Sequence, residues 1–186
     1  MHNRSRIRRL QFGASLIEVL VAVLLLSFGM LSLGAMMAFS VQMPKLSGYR
    51  TMATNIASDH IERIRANAGE FALGTYSSGS SYDGTFNDIP LNNCAYPNCT
   101  ASTLATMDIA ATRNAVRVLL PAGGMLVTCD AVGCGNPNAY GNLWIVWQEP
   151  STSAALNPTS SDNCPTQITN SYTNPAPRCL YVRFKP

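Results

Sequence analysis

Few side chains in this sequence are placed to do chemistry, and the most telling is a glutamate. Glu18 is fifth after Gly13 and borders an apolar run in which Val19 to Met43, 25 positions, carry no charge. A lone carboxylate beside such a stretch is costly and calls for a cationic partner, which makes it a functional residue by default. Six cysteines form the second group: Cys94, Cys99, Cys129, Cys134, Cys164 and Cys179. An even number suits disulfides in an exported domain, and two C-x4-C pairs could instead form a four-thiolate metal site. Structural zinc favours tighter spacing, and an oxidising compartment would consume the thiols first, so no metal and no other cofactor is expected. Only His2 and His60 could act as imidazole bases. A Ser-His-Asp triad would depend on His60 alone, and His60 reads better as a packed histidine with a satisfied ring nitrogen. No phosphate-binding glycine loop, HExxH motif or calcium-loop spacing is present, and the chain is not expected to be an enzyme.

The element that positions Glu18 is a long helix. About 20 residues at ~1.5 Å rise cross the ~30 Å hydrocarbon layer, so Val19 to Met43 is long enough to span a membrane. Arg4, Arg6, Arg8 and Arg9 precede it. By the positive-inside rule they hold the N-terminus in the cytoplasm and face the rest of the chain outward. A secretory signal peptide has a shorter core and ends in a small-residue site, for which Ala35 to Ala38 is a poor match. A plain membrane anchor explains the apolar run but not the Gly13–Glu18 spacing. Pro44 predicts a kink or break near Val41 to Pro44. Small residues at Gly34 and Ala38 would admit another helix.

From Lys45 to Asn67 the pattern turns amphipathic. Leu46, Tyr49, Ala53, Ala57, His60, Ile61 and Ile64 fall on one face, with Ser47, Asn55, Asp59, Glu62 and Arg63 on the other. Asp59 and Arg63 form an acid-before-base i,i+4 pair. Gly69 supplies a stop.

Gly13, then Ala14-Ser15-Leu16-Ile17-Glu18, with a basic leader before it and an amphipathic helix behind it, resembles the N-terminus of type IV pilin precursors. Ala14 departs from the phenylalanine usual there. The resemblance implies cleavage after Gly13 by a prepilin peptidase and N-methylation of Ala14. It also implies insertion in the bacterial inner membrane as a single span, with the C-terminal domain in the periplasm, and later incorporation into an extracellular fibre. The expected partners are other major and minor pilins through the helix, the peptidase and the inner-membrane assembly platform. The Gly13–Glu18 motif, the long half-buried helix and a cysteine-rich sheet domain together resemble the minor pilins of the PilV type, whose role would be to enter or prime pili that serve adhesion and twitching motility. A minor pseudopilin of type II secretion shares this N-terminus and is the alternative. A monomeric membrane-anchored extracellular binding protein is a second.

The resulting layout is a leader over 1–13, a membrane and assembly helix over 14–43, its amphipathic continuation over 44–69, and a disulfide-stapled sheet domain over 70–186. Without the four leader arginines, the net charge of +3 falls to −1, with 9 basic and 10 acidic side chains left. No basic patch argues for nucleic acid. Six cysteines allow fifteen connectivities. Neighbours are the expectation: Cys94–Cys99, Cys129–Cys134 and Cys164–Cys179, worth about 2–3 kcal/mol each in the loop-entropy account. Residues 71–106 read as a loop pinned by Phe71, Tyr76, Tyr82 and Phe86. Ala115–Leu120 and Met125–Cys129 read as a hairpin about Pro121–Gly124, followed by strands at Leu143–Glu149 and Cys179–Phe184. Trp144 and Trp147 suit the core better than a ligand platform. The fold class is α+β and pilin-like: a long N-terminal helix, membrane-spanning in its first half, on an antiparallel sheet of about four strands.

Overall fold

The computed structural model describes residues 13, 15–91, 93–95, 97–130, 133–136, 138–149, 164–172 and 176–186. The expected leader arginines, Ala14 and most of the Pro150–Pro177 stretch lie outside these residues. Helix α1 spans Leu16–Ala66, α2 spans Ala68–Ala72 and α3 spans Ala101–Leu119; β1 is Gly124–Cys129 and β2 is Gly141–Trp147; α4 is Thr166–Thr169 and β3 is Arg178–Phe184. The chain divides into two compact units at Pro44/Lys45, and α1 contributes to both. Its helical assignment runs through Pro44, so no break interrupts it there.

The first unit is helical from Leu16 and has no core of its own. All its large apolar side chains are exposed, from Leu16 to Met43. Two of its hydroxyls are satisfied within the helix: Ser27 Oγ donates to the Val23 carbonyl at 2.7 Å and Ser32 Oγ to the Gly29 carbonyl at 2.9 Å. Such back-bonding lets a hydroxyl sit in lipid at little cost.

The second unit is built on a three-stranded antiparallel sheet in the order β1-β2-β3. Leu126 pairs with Trp144, and Trp144 with Tyr181. Alternation turns Leu143, Ile145 and Trp147 to one face, where they meet Met125, Val127 and Phe184. Ala53, Ile56, Ala57, Ile61 and Ile64 of α1 join this core, as do Ala105, Ile109 and Val116 of α3. The expected α1 face is therefore buried from Ala53 onward, while Leu46 and Tyr49 are only half-buried. On the opposite face of the sheet, Leu126, Val146 and Cys179 cluster with Tyr82 and Ile168.

One expected strand is a helix. Ala115–Leu119 forms the last turns of α3, and the sheet has three strands rather than about four. A short apolar run suits a strand or a buried helix equally, and the rest of α3 decides between them. Ala105, Ile109, Thr112 and Val116 are buried at spacings of four, three and four, whereas Val118 is exposed. A capping box opens the helix: Thr100 and Thr103 exchange side chain and backbone hydrogen bonds. The expected loop thus loses its last residues to α3 and its first two to α2. Phe71, Tyr76 and Tyr82 are buried as pins, but Phe86 is 70% exposed and pins nothing. Pro121–Gly124 turns from α3 into β1. There Gly123 is required, since a Cβ would run into the Val116 carbonyl and side chain.

Candidate functional site

The N-terminus of α1 carries the residues expected to direct processing and assembly. Gly13 is exposed, and a Cβ added there would meet nothing within 4 Å. Nothing in the chain's own packing therefore requires glycine at this position. Ser15 opens the helix, its carbonyl accepting from the Glu18 N–H at 2.9 Å and the Val19 N–H at 3.2 Å. Glu18 falls in the first turn, where a carboxylate complements the partial positive charge of the helix N-terminus. The residue is exposed, and among the described residues it has no ion-pair partner. Gly29 and Gly34 likewise have open space around their α-carbons. The segment as a whole offers an apolar cylinder with one carboxylate near its start. Such a surface can associate only with lipid or with other apolar helices.

The cysteines lie in the second unit and are all disulfide-bonded in neighbour pairs. The Cα–Cα separations are 5.5 Å for Cys94–Cys99, 5.2 Å for Cys129–Cys134 and 5.2 Å for Cys164–Cys179. No thiolate is left to ligate a metal. Among the described residues no group of three His, Cys, Asp or Glu side chains is placed to hold one.

His60 is fully buried and stands edge-on to Tyr76, with ring centroids 6.0 Å apart. Its Nδ1 lies 2.8 Å from Thr112 Oγ1, and that hydroxyl gives its single hydrogen to the Asp108 carbonyl at 2.9 Å. Nδ1 must therefore carry the proton and donate to Thr112. Nε2 is left as a buried lone pair with no partner. Protonating it would put a charge and a donor where no acceptor waits. Burial accordingly lowers the His60 pKa to about 4, against a smaller upward pull from Asp108. This neutral, buried histidine is packing between α1, α3 and Tyr76.

A polar cluster that the sequence did not reveal ties three segments of the domain together. Asp108 on α3 accepts from Arg63 of α1 at 3.0 Å and from the Tyr76 hydroxyl at 2.9 Å, while Arg63 also bonds Asp59 at 2.9 Å. Spacing along one helix finds the Asp59–Arg63 pair. The Asp108 contacts join residues more than thirty positions apart and leave no local signal. A second cluster surrounds Arg117, whose guanidinium is buried against Asp83 and the Ser81 and Thr85 carbonyls. Trp147 is buried in the core as expected. Trp144 is partly buried on the other face, stacked on Tyr181 at 5.1 Å between centroids.

Residues 35–110 match the Tt1218-like family, described as type IV pilin Tt1218. The matched region is under half of the chain. It runs from the middle of α1 through the first half of α3 and contains neither the Gly13–Glu18 motif nor the strands. No curated protein and no solved structure matches the chain. The family match supports a type IV pilin, a structural subunit type that associates with other pilins.

Proposed function

We propose that this chain is a minor pilin, made as a precursor and built into, or priming, a type IV pilus. The observation that carries this reading is the exposed apolar segment of α1, whose single charge is Glu18 in the first turn. The family match over residues 35–110 includes the end of this segment and extends beyond it through the first half of α3, and it adds support for a pilin subunit. In this reading residues 1–13 are removed, and Ala14 becomes a methylated N-terminus. Residues 14–43 lie in the inner membrane before assembly and against neighbouring pilins afterwards. The disulfide-stapled domain faces the periplasm and then the fibre exterior. Peptidase and assembly platform are the partners on the way. The products of assembly are the pili used in adhesion and twitching.

Glu18 recruits the subunit. After cleavage the Ala14 amine lies one helical turn away, ~6 Å along the axis. An amine and a carboxylate on adjacent subunits neutralise each other where water is excluded, and either left alone there costs several kcal/mol. Because a staggered neighbour reaches the carboxylate at one height only, the pairing sets register as well as strength. Intact-mass analysis of the mature protein tests the processing step: it should begin at a methylated Ala14. A terminus after Ala35 or Ala38 would mean an ordinary signal peptide, and an uncut chain a plain anchor. Gene deletion then separates the fibres: loss of surface pili supports a pilus subunit, whereas loss of exoprotein secretion alone supports a pseudopilin.

A further inference from the structure

The arginines of the globular unit differ in how their charges are answered. Arg63, Arg65, Arg117, Arg178 and Arg183 each pair with a carboxylate. Arg113, one turn before Arg117 on α3, does not. Its one polar contact among the described residues is from Nη2 to the Gly79 carbonyl at 2.8 Å, and its Nε is buried without a partner. The side chain is half-buried, and burial alone pushes its pKa down, with no neighbouring carboxylate to oppose it. Beside it, the Ser78 hydroxyl is likewise buried and unpaired. Both residues line a cavity of about 280 Å³, whose other walls are mostly apolar: Ile89 and Pro90 from the loop, and Ile109 and Ala110 from α3, with Thr106 of α3 beside them.

An arginine taken partly out of water without an anion is costly, and an unpaired buried hydroxyl adds to that cost. One ligand chemistry answers both and matches the walls. A carboxylate supplies two acceptors to the guanidinium fork and can accept from the serine as well, while a short aliphatic stem meets the isoleucines and proline. A volume of this size suits a single carboxylate side chain or a small acid. We propose that the cavity between residues 78–90 and α3 is a carboxylate-binding site, with Arg113 and Ser78 holding the carboxylate and the apolar walls its stem. The carboxylate comes either from an aspartate or glutamate side chain of an adjacent subunit or from a small free acid.

The site is tested on the full chain in detergent micelles, by following the arginine Nε–H resonances during titration with sodium propionate and, separately, with sodium chloride at equal ionic strength. The Arg113 signal should shift saturably with propionate and not with chloride, while Arg65 stays still. Arg113→Gln should abolish saturable binding, and Ser78→Ala should weaken it roughly tenfold, the size of one hydrogen bond to a charged group. No saturable shift at Arg113, or the same shift with chloride, overturns the site. The source is decided by zero-length carbodiimide coupling of the Arg113→Lys variant in sheared fibres. An amide from position 113 to an acidic residue of another subunit identifies the neighbour, and propionate binding without that cross-link identifies a free acid. Absence of the wild-type chain from fibres would count against the pilin reading, leaving the propionate result to decide the site.

Discussion

Acidification should destabilise the globular domain through one side chain, His60, in a window set by its burial. In the unfolded chain the ring titrates near 6.5, and in the folded chain near 4. Between these values the unfolded state binds the proton and the folded state does not, so stability falls as pH is lowered through the window. It is fully present above pH 6.5 and levels off below pH 4. A difference of that size corresponds to about 3 kcal/mol at most, and about 2 kcal/mol of it is gone at pH 5. Such a loss is a large share of the stability of an ordinary domain. The Arg117 guanidinium holds the Asp83 carboxyl down at about 2, so its contribution is lost only below the histidine window. The assay is urea denaturation of the full chain in micelles, read by near-ultraviolet circular dichroism of Trp144 and Trp147, at pH 7, 6, 5 and 4. His60→Gln removes the titration and serves as the reference. Wild type should lose about 2 kcal/mol relative to the variant between pH 7 and 5. Parallel pH profiles for the two proteins would show that Nε2 is not the isolated lone pair described above.

Two further outcomes follow from the packing of the domain. Gly141→Ala places a methyl inside the Phe184 ring, which packs edge-on against Phe71 with centroids 5.6 Å apart. It should cost about 1–3 kcal/mol in urea denaturation, whereas Gly69→Ala, with nothing within 4 Å, should cost no more than a few tenths. Replacing Cys164 and Cys179 together by serine opens a link of sequence separation 15 between the segment leading into α4 and strand β3. It should destabilise by about 3 kcal/mol, and an unchanged denaturation midpoint would show that the link constrains little.

Much of this structure is legible in the sequence wherever the signal is local. The amphipathic face of α1 repeats over five turns, and its buried residues from Ala53 to Ile64 are those the spacing marks, with Ile56 in addition. The strand at 141–147 contains the continuous apolar run Leu143–Trp147 that a sheet covered on both faces demands, and the strand at 178–184 carries alternating faces. Glu18 stands out because it is a charge bordering 25 uncharged, mostly apolar positions. The first half of α3 was not read as helix, because Ala101–Thr106 carries threonines and little hydrophobic contrast. Its second half, Ala115–Leu119, offers the β-branched apolar run that strands also use. Only the full period from Ala105 to Val116 separates the two. The Asp108–Arg63–Tyr76 cluster and the Arg113 cavity were not legible at all, since each is assembled by tertiary contacts between segments that give no sign of one another.

The central claim, that α1 is an assembly helix recruited through Glu18, is tested most directly in the fibre. Wild type and Glu18→Ala are expressed to equal membrane levels, pili are sheared, and this protein is quantified in the sheared fraction by mass spectrometry. The variant should still insert and still be cut after Gly13, because a membrane helix only gains by losing a charge. It should nevertheless be lost, or nearly lost, from the fibres. Equal incorporation of the two proteins would contradict the account and leave Glu18 as a charge on a membrane anchor without an assembly role.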